Sequence, residues 1–186
     1  VHETRVPLST LSGERRKVTL THDQQTAVDA ITGGKGVFLL HGVTGSGKTE
    51  VYMTVIERML AAGKTAIMLV PEIALTPQIL GLFRARFGDL VALMHSGLNA
   101  GERYDEWKRL KDGSAKIAVG PRSAVFAPLE NIGVIIIDEE HDSSYVSESN
   151  PRYDAKEVAK MRAAQCGAAL VLGSATPDME SYLNAT

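Results

Sequence analysis

Residues 42–49 read Gly42-Val43-Thr44-Gly45-Ser46-Gly47-Lys48-Thr49 and satisfy the phosphate-loop pattern G-x-x-x-x-G-K-[ST] at every constrained position. No other stretch restricts the fold as tightly, because such a loop must run from the end of a buried strand into the start of a helix. Both flanks have that form. Upstream, Gly36-Val37-Phe38-Leu39-Leu40-His41 is a short apolar run; downstream, Val51, Val55 and Met59, with Tyr52, Ile56 and Leu60 beside them, recur every fourth residue and predict a helix over 48–60. A triphosphate entering such a site has to exchange its hydration for aimed donors. Gly42, Gly45 and Gly47, with Thr44 and Ser46 between and beside them, let backbone N–H groups turn inward. Lys48 adds a point charge at the outer phosphates, and Thr49 offers a hydroxyl to magnesium. Glu50, next in the helix, is counted among the nucleotide-contacting candidates.

The rest of the chain alternates strand and helix patterns around this unit. Residues 1–17 show neither period and are expected to be a linker or arm, leaving 18–186 as one domain. Thr21 is positioned to cap a helix that ends at Gly33-Gly34, with Gln24 or Gln25 completing a capping box. Strands are expected at 65–70, 90–94, 115–119, 134–137 and 169–172. Helices are expected after Thr76, with Ile79, Leu82, Phe83 and Phe87 on one side, and over 101–111, with Tyr104 and Trp107 facing inward. Two more are expected over 155–165 and from about Pro177. Strands that are continuous apolar runs predict an α/β fold, a mostly parallel sheet flanked by helices on both faces. In such a sheet the segments after the strands converge at one edge, here residues 42–49, 71–76, 120–123, 138–141 and 173–176.

Bulk composition narrows the functional classes. The 186 residues are 44% hydrophobic, enough for one good core, and carry a net charge of −2, so there is no global basic field and nucleic-acid binding would need a local surface. No apolar run approaches 18 residues and the first residues do not read as a signal peptide, which predicts a cytoplasmic protein without membrane contact. The single Cys166 excludes an internal disulfide and a cysteine-rich metal site, and is read as a structural thiol.

A second constellation completes the first. The most apolar strand, Val134-Ile135-Ile136-Ile137, runs into Asp138-Glu139-Glu140-His141. An aspartate at that strand tip can hold magnesium together with Thr49, and Glu139 can orient the water that attacks the terminal phosphate. Gly173-Ser174-Ala175-Thr176 is a tight turn whose hydroxyls either report to this acidic segment, with His141 as partner, or cap the following helix with Pro177 in its first turn.

Taken in order, LTHDQ at 20–24, GVTGSGKTEVY at 42–52, LVPEIALTPQ at 69–78, HSGL at 95–98, GPRSAVFAP at 120–128, DEEHDSSY at 138–145, PRY at 151–153 and LGSATP at 172–177 resemble the motifs of superfamily 2 helicases. The segments DEEHDSSY and PEIALTPQ are most similar to the PriA family of bacterial replication-restart helicases. The resemblance covers about residues 18–186. It implies a RecA-like phosphate-loop NTPase domain, the first motor lobe of an ATP-dependent 3′→5′ DNA helicase that uses ATP and Mg2+. Position by position, Gln24 resembles the adenine-reading glutamine, Lys48 and Thr49 the phosphate and magnesium residues, and Asp138 and Glu139 the metal-holding and catalytic acids, with His141 beside them. Pro71, Glu72, Arg122 and Ser123, and in the following loop Tyr145, Arg152 and Tyr153, resemble DNA-contacting positions, while Ser174 and Thr176 resemble the motif that couples hydrolysis to movement.

The sequence departs from that family at Pro121, which lacks a backbone donor, at Val146-Ser147, and at Asp154; the loop is less basic than its counterparts. The resemblance further implies single-stranded or forked DNA as partner. Replication-restart proteins and single-stranded DNA-binding protein would be reached through a longer chain. A second motor lobe, a DNA-binding domain and zinc-binding cysteines would lie outside these residues, the lobe itself being a monomer with almost no turnover. Two other readings compete: a different phosphate-loop enzyme with its own small acceptor, and a binding module with a degenerate nucleotide site.

Overall fold

The computed structural model describes residues 19–42 and 45–175. The expected arm at 1–17, the helix from Pro177, and residues Thr44 and Thr176 lie outside the described residues. The elements are α1 (His22–Gly33), β1 (Gly36–His41), α2 (Lys48–Ala61), β2 (Thr65–Leu69), α3 (Pro77–Phe87), β3 (Val91–Leu93), α4 (Ala100–Asp112), β4 (Ile117–Gly120), β5 (Ile132–Ile137), β6 (Val146–Ser147), β7 (Tyr153–Asp154), α5 (Ala155–Cys166) and β8 (Ala169–Ser174). Thr21 caps α1 with its side chain and forms the reciprocal box with Gln24, and Thr76 caps α3. Asn99 and Glu102 form a second box at the start of α4.

Six strands make one parallel sheet in the order β1-β8-β5-β2-β4-β3. The central strands are buried on both faces, which is why they read as unbroken apolar runs. Val134 and Ile136 of β5 pack with α1, α2 and α3 through Val28, Ile56 and Phe83. Ile135 and Ile137 pack with the opposite layer, where α5 contributes Ala155, Ala159 and Ala163. β8 runs two residues beyond its expected end, because Gly173 and Ser174 pair with Leu40 and His41 of β1. Residues 173–174 are therefore strand, not turn. The short antiparallel pair of β6 and β7, closed through a cis Asn150–Pro151 bond, has no apolar run to announce it.

Three expectations about packing are corrected. Tyr104 and Trp107 do not face inward: they are 61% and 41% exposed and stack on each other with ring centroids 6.3 Å apart. The cause lies in β3, an edge strand whose backbone groups lack a neighbour. Glu106 accepts the Leu93 N–H at 2.8 Å, and Arg109 donates to the carbonyls of Asp89 and Val91. Turning that polar side of α4 to the sheet edge, with only Leu110 buried, sends the aromatic side outward. In α3, Phe83 and Phe87 are buried but Leu82 is 46% exposed, since Ile79 and Leu80 complete the inward stripe. Cys166 is exposed at the end of α5, where the buried alanine stripe at 155, 159 and 163 passes it by.

Gly81, in the interior of α3, has no heavy atom within 4 Å of where a Cβ would stand. Gly81→Ala is expected to raise stability by about 0.5–1 kcal/mol through reduced unfolded-state freedom. Urea denaturation measures it.

Candidate nucleotide site and adjoining groove

The strand order divides the converging loops into two groups. Loops from β1, β8 and β5 meet at one half of the sheet edge, and loops from β2, β4 and β3 at the other.

In the first group, β1 delivers Gly42 and α2 begins at Lys48. Gly45 and Gly47 have φ of 84° and 82°, a left-handed backbone that glycine adopts without strain. A Cβ on Gly47 would also lie 2.4 Å from Gln24 Nε2. No side chain caps the N-terminus of α2, so its first N–H groups point at the loop with nothing from a side chain to satisfy them. Lys48 Nζ donates to the Gly42 carbonyl at 2.7 Å and lies 3.7 Å from Glu139 Oε1. Thr49 follows as the second residue of the helix.

Gln24 is engaged at both ends: its Oε1 accepts the Thr21 N–H at 2.9 Å, and its Nε2 donates to the Ser46 carbonyl at 3.0 Å. It therefore ties α1 to the phosphate loop in this structure. The Glu50 carboxylate turns to α3, where Arg86 holds it at 2.8 Å while also clasping Glu57. It braces α2 against α3 rather than facing the loop.

The acidic segment leaves β5 beside this loop. The Asp138 N–H donates to the Leu69 carbonyl at 2.9 Å, and Asp138 Oδ1 accepts the Tyr52 hydroxyl at 2.9 Å. Burial pushes the Asp138 carboxyl above its ordinary value, against the opposing pull of the Tyr52 hydroxyl and the Lys48 charge. Burial likewise pushes the Tyr52 hydroxyl up, keeping it a neutral donor. Glu139 has a φ of 45°, a strained conformation for a residue with a side chain. Its two oxygens lie 3.7 Å from Lys48 and 3.8 Å from His141 Nε2. Glu140 is fully buried, with its carboxylate 3.5 Å from Lys156 and its N–H donated to the Gly173 carbonyl.

β8 links the two segments. The Ser174 carbonyl accepts the Gly42 N–H at 3.2 Å, and the Ser174 hydroxyl lies 2.8 Å from His141 Nδ1. Of the two sequence alternatives for residues 173–176, the structure brings Ser174 to His141. The His41 ring also reaches the Ala175 carbonyl at 3.1 Å.

The residues present suit magnesium. Among the described residues no group of three or more His, Cys, Asp or Glu could hold a metal ion, so there is no all-protein cage. One buried carboxylate at a helix-flanked phosphate loop, with the Thr49 hydroxyl in the first turn of that helix, matches an ion that keeps most of its waters and binds through phosphate oxygens.

In the second group, a groove of about 650 Å³ is lined by Glu72, His95, Arg103, Arg122, Ser123 and Tyr153, among others. Arg122 donates to the carbonyls of Ser144 at 3.0 Å and Val146 at 3.4 Å, so it clips the segment after β5 to the groove. Pro71 is buried, and its carbonyl accepts the Ala74 N–H in the turn that presents Glu72. Arg152 is exposed on the hairpin between β6 and β7. Tyr145, expected among the DNA-contacting positions, is wholly buried, and its hydroxyl donates to the Asp138 carbonyl at 2.5 Å. It has no face to offer a ligand. Tyr153 instead packs edge-on against Phe126, at 5.0 Å between centroids, and Phe126 is 54% exposed.

Sequence reasoning missed Tyr52, Gly173 and Phe126. The signal for Tyr52 was a phenol in an otherwise apolar helix stripe, since a buried hydroxyl needs a partner. Phe126 gave no signal, lying in a segment without period.

The sequence profile of the DEAD/DEAH box helicase family matches residues 21–184. Replication restart protein PriA of Bacillus subtilis is 57% identical over 171 residues, 89% of this chain and 21% of that protein. Its namesake in Treponema pallidum is 49% identical over 175 residues, 92% of this chain and 27% of that protein. The chain thus spans about a fifth to a quarter of the length of these relatives. The crystal structure of a hypothetical ATP-dependent RNA helicase from Sulfolobus tokodaii superposes with a TM-score of 0.65 at 21% identity, over 89% of this chain and 49% of that one, a likeness of fold.

Proposed function

This chain belongs to the DEAD/DEAH box helicase family, and from that premise we propose that residues 18–186 are the ATP-binding motor lobe of a 3′→5′ DNA helicase acting in replication restart. The observation that carries the reading is the approach of Lys48 Nζ to Glu139 Oε1, 3.7 Å apart on loops distant in the chain, with Asp138 next to Glu139 at the strand tip.

Lys48 and Glu139 face each other as an ion pair across the loop. An arriving triphosphate takes the Lys48 ammonium in place of Glu139 and the Gly42 carbonyl. That frees the Glu139 carboxylate to orient the attacking water and accept its proton, as the water oxygen bonds to the terminal phosphorus and the bond to the ADP oxygen breaks. Thr49 and Asp138 would hold magnesium, which when bound supplies charge to the phosphate oxygens. The Ser174–His141 contact then relays whether Glu139 faces lysine or water to β8.

The groove suits the backbone of single-stranded DNA: Arg122 and Arg103 supply charge, Ser123 a hydroxyl, and Tyr153 an aromatic edge. Glu72 lines it as well, and Arg152 stands on the adjoining hairpin. Forked DNA, replication-restart proteins and single-stranded DNA-binding protein are partners of the longer helicase in this reading, whose setting is the bacterial cytoplasm. No helix among the described residues is long and apolar enough to cross a membrane.

Titration with a fluorescent ATP analogue and magnesium tests the nucleotide reading. Saturable binding of one equivalent, displaced by ATP and by ADP, is expected. No binding at millimolar ligand overturns it.

A further inference from the structure

Two buried tyrosines reach Asp138 from opposite faces of the sheet. Tyr52, on α2, is 1% exposed within the layer that holds Val28 and Phe83; Tyr145, in the turn Ser143–Tyr145, is 0% exposed within the layer that holds Ala155 and Ala159. The first donates its hydroxyl to the carboxylate oxygen Oδ1, and the second donates to the backbone carbonyl of the same residue. One fixes the side chain and the other the main chain.

The neighbouring strand is shaped around this arrangement. A Cβ on Gly173 would stand 1.7 Å from the Tyr52 hydroxyl oxygen and 3.3 Å from Asp138 Oδ1. Only glycine at that point of β8 leaves the phenol its place. A purely apolar packing role would be met by phenylalanine at both positions, yet both hydroxyls converge on the single residue at the tip of β5. With Oδ1 engaged by the Tyr52 hydroxyl, Oδ2 is the carboxylate oxygen left for a cation.

We propose that Tyr52 and Tyr145 are positioning residues for the divalent cation of the nucleotide site, acting through Asp138. The proposal rests on the nucleotide reading given above. Tyr145 also belongs to the segment whose Ser144 and Val146 carbonyls Arg122 holds. The main-chain half of the clamp is therefore continuous with the groove.

The test measures affinity for a fluorescent ATP analogue across a magnesium titration and in EDTA, for the chain and for Tyr52→Phe, Tyr145→Phe, Asp138→Asn and the Tyr52→Phe/Asp138→Asn double variant. Thermal unfolding is followed alongside. For Tyr52→Phe the magnesium concentration giving half-maximal enhancement is expected to rise about tenfold, the scale of one hydrogen bond to a charged group. Affinity in EDTA should change by less than roughly twofold, since apolar packing is kept. Tyr145→Phe should move in the same direction, and Tyr52→Phe should add nothing once Asp138 is asparagine. An unchanged magnesium dependence, an equal loss with and without magnesium, or additivity in the double variant overturns the proposal alone. A parent chain that binds no ATP overturns the nucleotide reading and the proposal with it.

Discussion

Replacing Lys48 with alanine is expected to weaken ATP binding by about 100-fold, equivalent to about 2.7 kcal/mol. The lysine is the one side-chain cation that the phosphate loop presents from within its own pattern, and its side chain is only 11% exposed, so the charge acts where water screens it poorly. Removing it leaves the loop's N–H groups in place but takes away the strongest single donor to the outer phosphates. Folding should be little affected: the contact with Glu139 is long at 3.7 Å, and Glu139 is one-third exposed, which makes the pair a weak contributor to stability. Fluorescence titration of the variant, with its melting temperature as control, checks both halves. Unchanged affinity in a folded variant would mean that the loop is structural.

Gly173→Ala carries the other large effect. The new methyl would sit 1.7 Å from the Tyr52 hydroxyl oxygen, inside a strand paired on both sides by β1 and β5. The methyl forces either β8 or the buried ring of Tyr52 to move, and overpacking of this kind costs about 3 kcal/mol. A shift of Tyr52 also takes its hydroxyl from Asp138, so a rise in the magnesium concentration needed for half-maximal enhancement should accompany loss of stability. Urea denaturation, with Gly81→Ala as the matched glycine-to-alanine control, separates this clash from a general effect of the substitution. A midpoint close to that of the parent chain would show that β8 accommodates the methyl group.

The parts of this molecule that could be read from its sequence are those where one residue pattern has one physical solution. Lys48 and Thr49 are fixed by the glycine loop before them, and Val134-Ile135-Ile136-Ile137 can be satisfied only by burial on both faces, which puts Asp138 at the sheet edge. Where a side chain has two equally good environments, the sequence left the choice open. Tyr145 is as suitable for a base stack as for a core, and it goes to the core because its hydroxyl finds the Asp138 carbonyl there. Trp107 and Leu110 lie on neighbouring stripes of α4. The needs of an edge strand, met by Glu106 and Arg109, decide between them, and that information is in β3 rather than in the helix. Gly173 and Ser174 looked like a turn because strand pairing with β1 leaves no mark on such small residues.

The sheet order explains why the two sites communicate in this account. Nucleotide residues sit on β1, β8 and β5, groove residues follow β2, β4 and β3, and the segment after β5 crosses from one group to the other under Arg122. The two relatives are about three and a half to four and a half times as long as this chain, and the resemblance implies that a second lobe supplies the charge that stabilises the transition state, worth roughly 10³–10⁵ in rate in related phosphoryl-transfer systems.

The most direct measurement is therefore steady-state ATP hydrolysis by this chain, with magnesium, in the absence and presence of a saturating single-stranded oligonucleotide. ATP is expected to be bound but turned over at background rate in both conditions. Rapid hydrolysis stimulated by the oligonucleotide would contradict it, because the site would then be complete within these residues.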